Sequence, residues 1–130
     1  MPENKVKLLI VDDEGGIVEW ITRIYSEKGF ATFGATDGIP AVELFQKERP
    51  HITVIDIHMP RSSIDGVETL KRIKEIDSGA ICLMVTRMTD KDKVEECRRL
   101  GALHYITKPL TLDELDKVIN SAVSVVKKKG

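Results

Sequence analysis

Five short apolar runs alternate with five helix-like segments along this chain, and that alternation limits the possible folds more than any other feature. Val6–Val11 is almost wholly apolar, which predicts a strand covered on both faces. A helix should follow Gly15-Gly16, with Ile17, Ile21, Ile24 and Tyr25 on one face and a stop at Gly29. Phe30–Ala35 is a weaker second strand. Thr36 or Asp37 can cap the next helix, Pro40 is tolerated in its first turn, and Ala41, Val42, Leu44 and Phe45 form its buried side. Pro50 closes the unit, and Ile52–Asp56 is a β-branched third strand.

The second half repeats the rhythm without repeating the sequence. Pro60–Ile64 is a loop, and Asp65-Gly66 opens a helix with apolar Val67, Leu70 and Ile73. Gly79 precedes a fourth strand, Ala80–Val85, which ends in Thr86. Asp90 should cap a short helix carrying Val94, Cys97 and Leu100, with Gly101 as its stop. Leu103–Ile106 is a fifth strand, followed by Lys108-Pro109. Thr111-Leu112-Asp113-Glu114 has the form of a capping box. It starts a last helix with Leu115, Val118, Ile119, Ala122 and Val126, ending in Lys127–Lys129, whose charge suits a helix C-terminus. Strand–helix alternation at this spacing implies right-handed crossovers and a doubly wound, five-stranded parallel α/β sheet.

At 130 residues the chain fits one domain spanning 1–130, with a core from about 5 to 126. No internal repeat, low-complexity segment or interdomain linker divides it. Net charge is −1, which gives no general attraction to nucleic acid or anionic membrane. No apolar stretch is long enough to span a bilayer, and the N-terminus lacks the apolar region of a signal peptide. Cys82, Cys97 and three dispersed histidines match no zinc spacing, so the cysteines are expected to be core thiols of a cytoplasmic protein.

The chemistry gathers at the strand ends. The first strand ends in Asp12-Asp13, the third in Asp56, the fourth in Thr86 and the fifth in Thr107-Lys108-Pro109. In a doubly wound sheet these ends share one edge, where ligands bind. With a flavodoxin-like order 2-1-3-4-5, strands one and three are neighbours. Each member has an ordinary reading alone: a helix cap, a turn former, a Lys-Pro turn. Together they place three carboxylates, a hydroxyl and an ammonium in one cleft. Close carboxylates favour protonation unless a cation joins them, and hard oxygen ligands suit Mg²⁺. Asp56 could then act as a carboxylate nucleophile toward a phosphoryl group, with Lys108 and Thr86 contacting its oxygens.

These motifs resemble the receiver domain of two-component response regulators across essentially the whole chain. The matching residues are Asp12-Asp13-Glu14, VIDIHMP around Asp56, Asp65-Gly66, Thr86 and Tyr105-Ile106-Thr107-Lys108-Pro109. The resemblance implies that Asp56 accepts a phosphoryl group from a histidine kinase phosphohistidine or a phosphotransfer protein. It implies Mg²⁺ held by Asp13 and Asp56 directly, by Asp12 through water and by the backbone carbonyl of His58. Lys108 would contact the phosphoryl group, its peptide bond to Pro109 would be cis, and Thr86 with Tyr105 would form a switch pair. Partners would dock on the face of the fourth helix, fifth strand and fifth helix. Such a protein is no enzyme beyond catalysing its own phosphorylation and dephosphorylation. Nothing after residue 126 can form an effector domain, so the chain is expected to be a stand-alone receiver or part of a longer protein.

Three departures stand out. Arg61-Ser62-Ser63-Ile64 makes the loop before Asp65-Gly66 two residues longer than the family's usual Pro-x-x-Asp-Gly, which predicts a local bulge. Arg87 occupies a position where the family prefers a small residue. His58, two residues beyond Asp56, overlooks the site. Two other classes compete: a phosphorylation-independent binding module with a receiver fold, and a haloacid-dehalogenase-like phosphatase. The latter expects an Asp where this chain has His58, and a longer chain.

Overall fold

Five strands and five helices alternate in the computed structural model, which describes residues 5–129. The expected 1–130 span and the sequence reading of the extreme N-terminus thus reach outside the described residues. The elements are β1 (Lys7–Val11), α1 (Gly15–Glu27), β2 (Ala31–Ala35), α2 (Gly38–Glu48), β3 (Ile52–Asp56), α3 (Gly66–Ile76), β4 (Ile81–Thr86), α4 (Lys91–Arg99), β5 (His104–Thr107) and α5 (Leu112–Lys129). The strands are parallel in the order β2-β1-β3-β4-β5, as expected for a doubly wound α/β sheet. No helix among the described residues is long and apolar enough to cross a membrane.

Side chains alternate across a strand, so each central strand feeds two cores. Leu9, Val11, Ile55, Cys82 and Met84 face α2, α3 and α4, where Phe45, Leu70, Ile73 and Cys97 meet them. Leu8, Ile10, Val54, Leu83, Val85 and Ile106 face α1 and α5 and pack on Val18, Ile21, Tyr25, Leu115, Ile119 and Ala122. Each fully buried aliphatic side chain contributes about 1.5–3 kcal/mol. The buried Tyr25 hydroxyl donates to Asp116, fastening α1 to α5. Cys82 and Cys97 are buried thiols whose pKa values burial pushes up to about 12, which leaves them protonated and inert.

Local expectations hold with three corrections. The buried face of α1 is Val18, Ile21 and Tyr25; Ile17 and Ile24 are only partly covered, because the helix turns Val18 onto the sheet. Asp90 sits at the N-cap position of α4 without capping it: its carboxylate accepts instead from the Arg87 N–H at 2.8 Å, back toward β4. Thr107 lies inside β5, paired with Thr86. Among the candidate caps for α2, Asp37 does the work, accepting from the Ile39 N–H. Thr111 accepts from the Glu114 N–H, one half of the expected box.

One contact governs how the sheet edge is built. A Cβ on Gly66 would lie 2.2 Å from the Asp56 carbonyl oxygen and 2.6 Å from the Ile57 Cα. Both neighbours are backbone and cannot yield, so α3 presses directly on the end of β3, and the Gly66 N–H donates to the Ile57 carbonyl at 3.0 Å. Gly66→Ala should therefore cost roughly 2–3 kcal/mol, the range of an overpacked core. Urea denaturation measures it; a loss below about 0.5 kcal/mol would contradict this close approach.

Candidate functional site

Asp12, Asp13 and Asp56 converge because β1 and β3 are neighbours in register, with Val11 beside Ile55. Each of the three offers a carboxylate oxygen within 4.8 Å of the others. Asp56 is 2% exposed and Asp12 7%, while Asp13 is half-buried at the rim. Each carboxylate is held by a backbone N–H: Asp12 by Glu14 at 2.9 Å, Asp13 by Arg61 at 2.9 Å, and Asp56 by His58 at 3.3 Å. Lys108 follows β5, two strands from β3, and its Nζ lies 2.9 Å from Asp56 Oδ2. The Lys108–Pro109 peptide is cis.

Electrostatics follow from this crowding. The Asp12 pKa rises from 3.8 to about 6, first because burial disfavours the charged form and then because Asp56 and Asp13 repel it; the Glu14 N–H and Lys108 oppose the rise. Burial also raises Asp56, against the opposing hydrogen bond from Lys108. Burial alone would lower Lys108, but its bond to Asp56 and the charge of Asp12 leave it raised, so it stays an ammonium. Burial is a larger cause than the carboxylate repulsion expected from the sequence. Each carboxylate offers one oxygen within 4.8 Å of the others, and each oxygen can accept more than one bond. That donor set fits a hard divalent cation such as Mg²⁺.

Thr86 ends β4, and its carbonyl accepts from the Lys108 N–H at 2.7 Å. Tyr105 pairs with Met84, so it shares a sheet face with Thr86 two positions on. Thr86, Tyr105, Thr107, Val94 and Arg98 line a cavity of about 430 Å³. The Tyr105 hydroxyl is buried beside Arg98. His58 and Arg87 lean together: Arg87 Nη2 is 3.2 Å from His58 Nδ1 and 3.6 Å from Asp90 Oδ1. Since a guanidinium only donates, Nδ1 is the acceptor and carries no proton in this contact. The sequence placed both residues near the site but gave no sign that they touch.

The 61–64 loop folds back onto α2 instead of standing out as a free bulge. Ser62 Oγ accepts from the Gly38 N–H at 2.8 Å and donates to the Ile64 carbonyl at 2.6 Å. Ser63 donates to Asp37 from both its N–H, at 2.8 Å, and its hydroxyl, at 2.6 Å. The Ser63 hydroxyl bond is the main reason the Asp37 pKa is lowered. Asp37 was visible in the sequence as a helix cap; its second partner, 26 residues away, was not.

Similarity to known proteins agrees with this architecture. The family model described as the response regulator receiver domain matches residues 8–120. Sporulation initiation phosphotransferase F of Bacillus subtilis (strain 168) is 37% identical over 109 residues, covering 84% of this chain and 86% of that protein. Regulatory protein AtoC of Escherichia coli (strain K12) is 30% identical over 92% of this chain, which corresponds to only 25% of AtoC. The crystal structure of a response regulator receiver domain protein (CheY-like) from Methanospirillum hungatei JF-1 superposes with a TM-score of 0.89, covering 98% of this chain and 100% of that one; at 24% identity it speaks to the fold.

The raised Asp12 pKa sets a pH dependence. Between 3.8 and about 6 the folded chain holds a proton that the unfolded chain has released. Its contribution to stability is complete below pH 3.8 and is lost as pH rises through about 6. In EDTA at pH 7.5, Asp12→Asn should raise stability by roughly 1–2 kcal/mol, several degrees in Tm. It should also flatten the fall in stability between pH 4 and 6, read from thermal melts. Equal pH slopes for wild type and variant would remove the assignment.

Proposed function

Since the chain belongs to the response regulator receiver domain family, we propose that it is a phosphorylation-dependent signalling switch whose phosphoacceptor is Asp56. The observation that carries this reading is the Lys108 ammonium, 2.9 Å from Asp56, with Asp12 and Asp13 alongside. Lys108 favours the ionised Asp56 that the chemistry needs. An oxygen of that carboxylate attacks the phosphorus of a phosphohistidine. The P–N bond breaks as the P–O bond forms, and the imidazole leaves with the electron pair. Lys108 then moves its attraction from the carboxylate to a phosphoryl oxygen, and the Thr86 hydroxyl donates to another.

Asp13, Asp56 and the His58 carbonyl, with Asp12 through water, would hold Mg²⁺, which when bound offsets the negative charge of phosphoryl group and carboxylates together. Movement of Thr86 toward the phosphoryl group opens space that Tyr105 can enter. The cavity beside Tyr105 suits a residue with two positions. Partners are a histidine kinase or phosphotransfer protein upstream, and downstream either a protein docked on α4, β5 and α5 or an effector domain of a longer chain. No direct contact with nucleic acid or membrane is needed. The protein works in the cytoplasm and catalyses nothing beyond its own phosphorylation and dephosphorylation.

The Arg87–His58 contact favours a second reading, a binding module that is not phosphorylated, because it places a cation and an imidazole beside the acceptor. Incubation with Mg²⁺ and acetyl phosphate, followed by intact mass measurement, separates the readings. Wild type should gain one phosphoryl adduct and Asp56→Asn none. Absence of any adduct together with absence of Mg²⁺ binding selects the binding module. Turnover of unrelated phosphate monoesters selects a phosphatase.

Arg87 and His58 carry a further expectation. Arg87→Ala should be labelled by acetyl phosphate several-fold faster than wild type, since the contact narrows entry for a small donor. Hydrolysis of the acyl phosphate in His58→Ala should differ in rate from wild type at pH 7.5, since the substitution also frees the Arg87 guanidinium. Unchanged labelling rates would remove the first idea, and equal hydrolysis rates the second.

A further inference from the structure

The 61–64 segment has the construction of a support. In six consecutive residues, Met59 to Ile64, the chain makes a turn closed by the Ser62 N–H on the Met59 carbonyl at 3.0 Å. From that turn the Arg61 N–H reaches Asp13 Oδ2 at 2.9 Å. On the other side Ser62 and Ser63 grip the first turn of α2, through the Gly38 N–H and both oxygens of Asp37. Packing reinforces the grip. A Cβ on Gly38 would lie 2.5 Å from Ile64 Cγ1 and 2.2 Å from Thr69 Oγ1, so loop and helix meet with no room between them. A solvated insertion would leave these hydroxyls and amides to water.

We propose that this segment is a positioning device for Asp13 as a metal ligand, with Ser62 and Ser63 as the positioning residues and α2 as the fixed base. The proposal rests on the reading that Asp12, Asp13 and Asp56 bind Mg²⁺. Asp13 is the least buried of the three carboxylates. The Arg61 N–H holds its Oδ2, and the same carboxylate offers an oxygen within 4.8 Å of those of Asp12 and Asp56. Anchoring the loop on α2 fixes where that N–H sits, so the ordering of the ligand is complete before any cation arrives. Partners that orient a metal ligand typically change metal affinity 10–100-fold when removed.

Isothermal titration of the unphosphorylated protein with MgCl₂ at pH 7.5 tests this without reference to phosphorylation. Ser62→Ala/Ser63→Ala should bind Mg²⁺ about tenfold more weakly than wild type. Ser63→Thr, which keeps the hydroxyl, should match wild type. Thermal melts in EDTA should place Ser63→Thr with wild type and the double variant several degrees lower but cooperatively folded, since Ser62 is half-buried and holds the buried Gly38 N–H. Asp13→Asn should lose most of the binding. If Asp13→Asn loses binding while the double variant stays within twofold of wild type, the positioning role is overturned and the metal site stands. If wild type itself fails to bind Mg²⁺, the metal reading falls and the positioning role falls with it.

Discussion

Charge crowding at the carboxyl edge of the sheet is the constraint on which the rest of this structure depends. Asp12, Asp13 and Asp56 offer oxygens within 4.8 Å of one another. At an effective dielectric of about 20, two such charges repel by roughly 3–4 kcal/mol. A domain of this size is stable by only about 5–15 kcal/mol in total. The cluster therefore persists only because something opposes it at each member: a backbone N–H on every carboxylate, and the Lys108 ammonium on Asp56. What opposition remains incomplete appears as the raised pKa of Asp12 and Asp56. The same incompleteness gives a cation, or a proton, a reason to bind there.

The fold supplies the opposing force that makes crowding possible. Two apolar layers clamp β1, β3 and β4 from both sides, so the strand ends cannot spread to relieve the repulsion. The contact of Gly66 with the backbone of Asp56 and Ile57 extends that rigidity to Asp56 itself. Thr86 and Tyr105 stand at the boundary of the rigid region. Beside them lies a cavity of about 430 Å³.

Arg87, His58 and the 61–64 loop are each tied to residues distant in sequence. The Arg87 guanidinium lies between His58 and Asp90, so its charge is shared with both. The lengthened loop is bound at both ends, to Asp13 at the acidic cluster and to Asp37 at the start of α2. No local pattern pairs them, because the partners are separated by 26 to 48 residues of chain.

The sequence by itself determined the element order, the parallel sheet and the gathering of chemistry at its carboxyl edge. Those follow from local physics: period two against period 3.6, glycine stops, Asp37 and Asp65 as caps, and polar residues closing each apolar run. Asp12, Asp13, Asp56, Thr86 and Lys108 were legible because a parallel sheet puts all strand ends on one side, whatever the details of packing. Only the tertiary structure decided what depends on distances across the fold. It turned Val18 rather than Ile17 into the core, sent Asp90 back to Arg87 instead of into its own helix, and tied the 61–64 loop to α2. Each of these is a choice between partners of similar chemistry. Such choices are made by the few tenths of an ångström that separate a hydrogen bond from a missed contact, and no local pattern records them.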